Sequence, residues 1–391
     1  MSRIPPESPV QAKVPFHVLS MVGNEQAYVD RVLASGALMG GGVHTRACEA
    51  LLEHRLGAAR VFLTHSCTGA LELAAMLCGI KEGDEVLMPS LTSSSTANAF
   101  LRLGAVPVFV DVEPETLNLD PALAEAAVTD RCRAVVPIHY LGVAADLDGF
   151  TALANRRSLS LVEDAAQGLG ARHGGRELGS VGRFGAFSFH QTKNLSAGEG
   201  GALVVRDPDD VPEAEVLLDK GTNRRAFFRG EVRRYEWLGP GSAFQPSELV
   251  AAFLHAQLEV LDEVTEGRRA TFARYGRRLA PLGDAGLLRL PVVPDRCRTN
   301  AHGFHVLCAD EAERDGLIAW LSRAGVDART HFVPLHATPY GRRAGRAGSS
   351  MTVTEDAARR LLRLPLFHGM TETQVDLVAE AVLGFYGHDH G

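Results

Sequence analysis

Between residues 61 and 205, short apolar runs alternate with stretches of helical spacing, and this alternation limits the fold more than any other feature of the chain. The runs at 61–63, 85–88, 107–110, 134–139, 159–162, 186–189 and 202–205 read as strands. Helical spacing falls between most of them, as at 96–103 and 147–154, and Pro121 opens another helix at its favoured first-turn position. Strands and helices in this order imply a largely parallel sheet covered on both faces, and the apolar, β-branched strands agree with that burial. The fold class is therefore α/β. With 391 residues the chain exceeds what one hydrophobic core fills. We expect a large α/β domain over 1–260, with a loose proline-rich arm at its start, and a smaller α+β domain over 261–391. Helices are expected at 25–33, 45–56, 248–261, 311–323, 355–362 and 372–383, and further strands at 303–307 and 326–330.

Composition excludes several function classes. A net charge of −7 argues against nucleic acid as a partner. No apolar run reaches the roughly 18 residues that span a bilayer, and the first residues lack a signal-peptide core, so no membrane partner is expected. The six cysteines form no C-x-x-C pair and sit in apolar surroundings. Core thiols in a reducing, cytoplasmic setting fit them better than disulfides or zinc.

Lys193 stands in the run FSFHQTKNLSAGEGG (187–201), at the end of an apolar strand and inside a glycine-closed turn. Burial lowers a lysine pKa and frees its amine to condense with a carbonyl. Asp164 ends another strand, where open parallel sheets place their ligands, and a carboxylate there holds a proton on a heteroaromatic nitrogen. Cys67 and Thr68 open a helix, whose first N–H groups suit a phosphate. Ser188 offers a hydroxyl to the same group. Singly, these are a solvated lysine, two helix caps and a strand serine. Together, an amine, a carboxylate and a phosphate cradle on three strand ends are the three anchors of pyridoxal phosphate.

Those runs, with MPSLTSSSTANAF, VPIHYLG, KGTNRRAFFRG, AFQPSELVAAFLHAQLE, HFVPLH and RLLRLPLF, resemble the DegT/DnrJ/EryC1/StrS sugar aminotransferases from about Val14 onward. Among these the chain looks most like the transaminases of dTDP-4-keto-6-deoxyglucose. The resemblance implies a fold-type I enzyme with pyridoxal 5'-phosphate as cofactor. Lys193 would be its covalent anchor and Asp164 the partner of its ring nitrogen, with Gln167 near its ring hydroxyl. The phosphate would lie on the Cys67 and Thr68 amides and the Ser188 hydroxyl. Asn223 would reach the phosphate of a neighbouring subunit, making a homodimer with composite sites. It further implies ping-pong transfer of an amine from L-glutamate to C4 of a dTDP-4-keto-6-deoxy sugar.

For the diphosphate of that sugar, Arg224 or Arg229 in the basic run 220–234 is expected to serve, since guanidinium pairs bidentately with phosphate. A solvated charged face is the plainer reading of such a run. His331 is expected to line the substrate pocket. His331 and His336, without a third ligand, are not expected to hold a metal. In one place the chain departs from the family, which often has aromatics at the positions of Leu91 and Ser93, the second stacking on the cofactor ring. Three alternatives stay open: transfer at C3, either stereochemistry of the new amine, and a non-catalytic cofactor-binding regulator on the same fold. A dehydratase is disfavoured because those relatives carry histidine where this chain has Lys193. A dehydrogenase is disfavoured because no G-x-G-x-x-G follows the first strand.

Overall fold

The computed structural model describes residues 13–388. The proline-rich arm expected at the start of the chain falls almost wholly outside them. Thirteen strands are formed: β1 (Arg60–Thr64), β2 (Glu85–Pro89), β3 (Val106–Val110), β4 (Cys132–Val135), β5 (Ser160–Asp164), β6 (Arg172–His173), β7 (Arg176–Glu177), β8 (Phe184–Ser188), β9 (Gly201–Val205), β10 (Cys297–Arg298), β11 (Phe304–Leu307), β12 (Arg346–Ala347) and β13 (Leu361–Leu364). Eight of them make one sheet in the order β1-β9-β8-β5-β4-β2-β3-β12. Only β9 runs against the rest, antiparallel to both β1 and β8. The sheet is mostly parallel, as the alternation implied.

Both faces are covered, and alternate side chains show how. Val86 and Met88 enter one core with Phe62, Leu203 and Val205. Leu87 points the other way, among Val108, Val135 and Phe150, while Val61, Leu63, Ala202 and Val204 pack on the helices Val43–Leu56 and Glu248–Glu259. A strand with period-two geometry and apolar residues at every position is stable only between two layers.

A separate core gathers Tyr275, Phe304, Leu317, Leu362 and Val378 around the β11–β13 pair. Chain segments pass between the two cores. Arg346 of β12 adds the last strand to the large sheet, and its guanidinium reaches the buried Glu85 carboxylate at 2.6 Å. At the other end of the chain, Val14 bridges to Val326.

Some elements differ from the sequence reading. The helix expected over 248–261 stops at Glu259, and after Val260 a second helix of 24 residues, Leu261–Asp284, begins. Its many arginines and Pro281 hid it. The helix expected over 355–362 is Thr352–Arg360, and Leu361 and Leu362 instead open β13. No strand forms over 326–330, where only single bridges hold Val326 and Arg329. The strand expected over 134–139 is β4, after which Ile138 keeps one bridge to Asp164. Among the described residues no helix is long and apolar enough to cross a membrane. All six cysteines are unpaired.

Candidate active site

A cavity of about 770 Å³ opens at the carboxyl ends of β5 and β8, where an open parallel sheet leaves room for a ligand. Cys67, Thr68, Asp164, Gln167, Ser188, Lys193 and His331 all line it. The sequence had marked each of these.

Lys193 is held by its loop rather than by its side chain. Past β8 the backbone folds back on itself, with Phe189 N–H donating to Gly200 O at 2.9 Å, Gln191 N–H to Gly198 O at 2.8 Å and Lys193 N–H to His190 O at 2.9 Å. Gly198 takes a left-handed φ of 77° to close the turn, and Phe189 and Leu195 bury the loop's apolar side in the core. The amine itself has no carboxylate within ion-pair distance and no hydrogen-bond acceptor among the described residues, and it faces the cavity. Burial holds its pKa below the usual lysine value, and the Arg363 charge adds to that while Asp164 opposes it. The neighbouring Cys67 thiol is pushed well up by burial and stays neutral.

Asp164 is buried, and its capping contact is present. Oδ1 accepts from Ala166 N–H at 3.1 Å, as a turn cap does, while Oδ2 accepts from Thr96 Oγ1 at 2.7 Å. Thr96 is itself 2.8 Å from Thr92 Oγ1, so the carboxylate is fixed from two sides and keeps lone pairs toward the cavity. Strand alternation turns its neighbour the other way. Glu163 accepts from Gly179, Val181 and Gly182 N–H at 2.8, 2.6 and 2.7 Å and lies 2.9 Å from His139 Nε2. That buried cluster anchors the end of β5.

The helix Cys67–Leu77 starts at the same edge. Ser66 caps it, its Oγ accepting from Gly69 N–H at 3.0 Å, and Ala70 N–H returns to Ser66 O at 3.1 Å. The Cys67 and Thr68 amides have no acceptor among the described residues and open onto the cavity. The turn rests directly on β9: a Cβ at Gly201 would lie 2.3 Å from the Ser66 carbonyl carbon and 2.4 Å from Cys67 N. Only glycine lets the cradle sit there. Ser188 Oγ accepts a long bond from His190 N–H at 3.4 Å, and Gln167 Oε1 accepts from Leu141 N–H at 2.6 Å, leaving its amide nitrogen unbonded among the described residues.

Three expected site residues lie elsewhere in the chain. Asn223 is buried, with Nδ2 donating to Arg234 O at 3.0 Å and Oδ1 accepting from Glu236 N–H at 2.7 Å. Arg224 pairs with Asp219 at 3.3 Å, and Arg229 with Glu215 and Glu231, each at 2.7 Å. None of the three lines the cavity. His331 does line it, with Nδ1 at 2.6 Å from the Tyr140 hydroxyl and its ring stacked on Phe332 at 3.8 Å. Burial, helped by Arg363 and Lys193, keeps it well below the ordinary imidazole pKa, hence neutral. His336 belongs to a different network, with Ser90 Oγ at 2.7 Å and Glu355 at 3.2 Å.

Other lining residues carried no signal in the sequence. Phe16, Arg268, His302 and Arg363 reach the cavity from distant segments. His302 Nδ1 lies 2.9 Å from Asn194 Oδ1, beside Lys193 in the loop. Leu91 is buried in the core, and Ser93 lines the cavity while capping the helix Ser94–Leu101. The aromatic rings that do face the space are those of Phe16 and Phe332.

A buried amine with a lowered pKa, a fixed buried carboxylate and two free amides at a helix start fit the aldehyde, ring nitrogen and phosphate of pyridoxal phosphate. The comparisons with known proteins agree with that chemistry. Residues 20–383 match the model of the DegT/DnrJ/EryC1/StrS aminotransferase family. A curated protein of Geobacillus stearothermophilus, named pleiotropic regulatory protein, is 35% identical over 322 residues, covering 82% of this chain and 83% of that one. The aminotransferase TlmJ of Streptoalloteichus hindustanus is 31% identical with a TM-score of 0.87, covering 97% of this chain and 99% of its own. DesV of S. venezuelae, solved in complex with a ketimine intermediate, is 33% identical with a TM-score of 0.87, covering 96% of this chain and 98% of its own.

Proposed function

Because the chain belongs to the DegT/DnrJ/EryC1/StrS aminotransferase family and is a pyridoxal-phosphate-dependent transaminase, we propose that it moves an amino group from L-glutamate to C4 of a dTDP-4-keto-6-deoxyhexose, giving a dTDP-4-amino-4,6-dideoxy sugar. The observation that carries this reading is Lys193, an unpaired lysine in one cavity with the buried Asp164. The cavity's volume of about 770 Å³ lies high in the range of roughly 300–1,000 Å³ common for ligand pockets. That leaves space for a nucleotide-linked sugar beside the cofactor.

When bound, the cofactor supplies an aldehyde for amine exchange and a ring that takes up electrons from the donor's Cα. Lys193 anchors it in the resting enzyme. With the cofactor bound, Lys193 Nζ would serve as the base that takes the proton from the donor's Cα and, in the second half of the cycle, would deliver a proton to C4 of the sugar. Such positioned proton transfer contributes roughly 10²–10⁴ in rate. Asp164 keeps the ring nitrogen protonated. The Cys67 and Thr68 amides and the Ser188 hydroxyl bind the phosphate, and Gln167 offers its free amide to the ring hydroxyl. His331, neutral and fixed by Tyr140, lines the sugar's place without adding charge.

Asn223, Arg224 and Arg229 act across a subunit boundary. The segment that carries them exposes Phe228 (72%), Trp237 (78%) and Leu238 (58%), and Met39 (66%) and Val43 (69%) are exposed on a second segment, which Arg224 Nη2 reaches at Met39 Sδ, 3.6 Å away. A large apolar patch of this kind marks an interaction surface, and a second copy of the chain is the partner we assign. Trp237→Glu is expected to give monomers by light scattering and to release cofactor on gel filtration. Asn223→Ala is expected to weaken cofactor retention within an intact dimer. In mixed dimers, that loss should fall on the site of the unmutated subunit.

One finding favours a second reading. The regulatory name of the Geobacillus stearothermophilus relative raises a cofactor-binding regulator as the rival. The two separate in one assay. With L-glutamate and the keto sugar nucleotide, 2-oxoglutarate should accumulate only when both are present. Absence of any turnover in cofactor-saturated protein would favour the regulator.

A further inference from the structure

One histidine of the run HFVPLH has no role in the chemistry above. His336 meets a wholly buried serine, Ser90, which directly follows β2. Leu335 N–H donates to Ser90 O at 3.0 Å, and His336 N–H donates to Ser90 Oγ at 2.9 Å. The Ser90 hydroxyl gives its own proton to His336 Nδ1 at 2.7 Å, which leaves Nε2 for Glu355 Oε1, 3.2 Å away. Serine, histidine and glutamate are the residue types of a nucleophilic triad. Here the hydroxyl is out of reach of any substrate and is taken up by the backbone of His336 itself. The trio is a bracket.

It joins three parts of the molecule. The first is the wall behind Asp164, where Thr92 and Thr96 pair at 2.8 Å just beyond Ser90 and Thr96 donates to Asp164 Oδ2. The second is the loop 330–336, whose His331 and Phe332 line the cavity. Paired backbones of Arg329 and Arg363, at 3.0 and 2.8 Å, hold its entry, and Ser90 holds its exit. Between them Phe332 packs on the cluster of Leu91, Tyr140 and Leu361. The third part is the helix Thr352–Arg360, which carries Glu355. Its Val353 and Thr354 amides donate to the Asp111 carboxylate at 2.9 and 2.8 Å. Asp111 directly follows β3, so both ends of the bracket rest on the large sheet.

A loop tied at both ends to the sheet presents its side chains at a fixed depth. A misplacement of about 1 Å is enough to cost roughly 10²-fold in a positioned reaction. Building on the aminotransfer reading, which sets the sugar against His331, we propose that His336 is a positioning residue for the keto sugar. It touches no substrate. Through Ser90 and Glu355 it fixes how far His331 and Phe332 project into the cavity.

His336→Leu and Ser90→Ala each remove the bracket from one side. In the holoenzyme, each should raise the KM of the aminated form for the keto sugar roughly 10-fold, the effect of one lost buried hydrogen bond. The half-saturating concentration of L-glutamate in the donor half-reaction should stay at the wild-type value, which also shows that the variants are folded. His336→Asn keeps an acceptor where Nδ1 stands and should recover most of the loss. Because Ser90 and His336 act as one unit, the double variant should lose no more than either single one. Amide hydrogen exchange reads the bracket without any substrate. Leu335 and His336 should exchange faster in the leucine and alanine variants, while Gln191 and Lys193 should not. Equal losses for both substrates, additive losses in the double variant, or unchanged exchange at Leu335 would overturn the assignment. Faster exchange in the variants of a wild type that aminates no keto sugar nucleotide would uphold the bracket and sink the sugar reading, so the two failures are distinguishable.

Discussion

Lys193→Ala is expected to abolish turnover and the visible absorbance of the lysine-linked cofactor together. The side chain combines two tasks that nothing else in the cavity can take over. On the proposed mechanism it is the covalent anchor and also the base that moves the substrate proton. His302 and His331 are the nearest titratable alternatives, but their pKa values are held well below the ordinary imidazole value by burial and by the same cations. A loss of roughly 10²–10⁴ in kcat follows from the proton transfer alone, and loss of the covalent anchor adds to it. The variant should fold normally, because the loop is closed by backbone bonds and by Phe189 and Leu195 rather than by the amine. Circular dichroism and the thermal midpoint of the apoprotein check that point. Adding a small primary amine should restore a fraction of the activity in the variant and none in the wild type. An alanine variant with substantial turnover and no added amine would remove Lys193 from the mechanism.

Asp164→Asn carries the second largest effect. The substitution preserves shape and leaves an oxygen for Ala166 N–H, now bonded at 3.1 Å to Oδ1. It removes the negative charge and turns the acceptor of the Thr96 hydroxyl into a donor. The ring nitrogen then loses the anion that keeps it protonated, and electrons leaving the donor's Cα lose their sink. Loss of one such preorganised electrostatic group costs about 10²–10³ in kcat. Cofactor should stay bound, since Lys193 and the Cys67–Thr68 amides are untouched, so the loss falls on kcat with little change in either KM. Replacing Thr96 with valine, which keeps the charge and removes only one hydrogen bond, should cost far less. Wild-type turnover in Asp164→Asn would place the ring's partner elsewhere.

The sheet was legible because its signal is local. Each strand is a short apolar run with a helix close behind it in sequence, and the β-branched residues leave little doubt about burial. Lys193, Asp164, Cys67 and Ser188 share that legibility, since each stands at or just past a strand end. Other features depend on contacts that no window reveals. Phe16 meets Arg363 across most of the chain, and Arg346 reaches Glu85 over 261 residues. The helix Leu261–Asp284 faces its own core with Tyr275, Leu279 and Leu282 while its other side is crowded with arginine, so charge masked the period. The setting of the basic run was hidden for a different reason: Asp219 pairs with Arg224, and Glu215 and Glu231 pair with Arg229, and two of those acids lie before the run begins.

The missing aromatic at Ser93 now has a physical setting. Ser93 caps a helix at the cavity edge, and Leu91 is buried in the core rather than turned toward the space. Phe16 and Phe332 supply rings from other segments, each against a cation or an imidazole. The aromatic surface of the cavity therefore comes from two segments far apart in the chain.

On the proposed mechanism an amine passes from an amino acid to C4 of a keto sugar at Lys193. Nitrogen-15 NMR of the product made from ¹⁵N-glutamate and dTDP-4-keto-6-deoxyglucose tests it most directly. The expected result is ¹⁵N bonded to C4, with ring proton couplings that give the amine's orientation. Label at C3, or no label in the sugar while the cofactor is fully loaded, would contradict it.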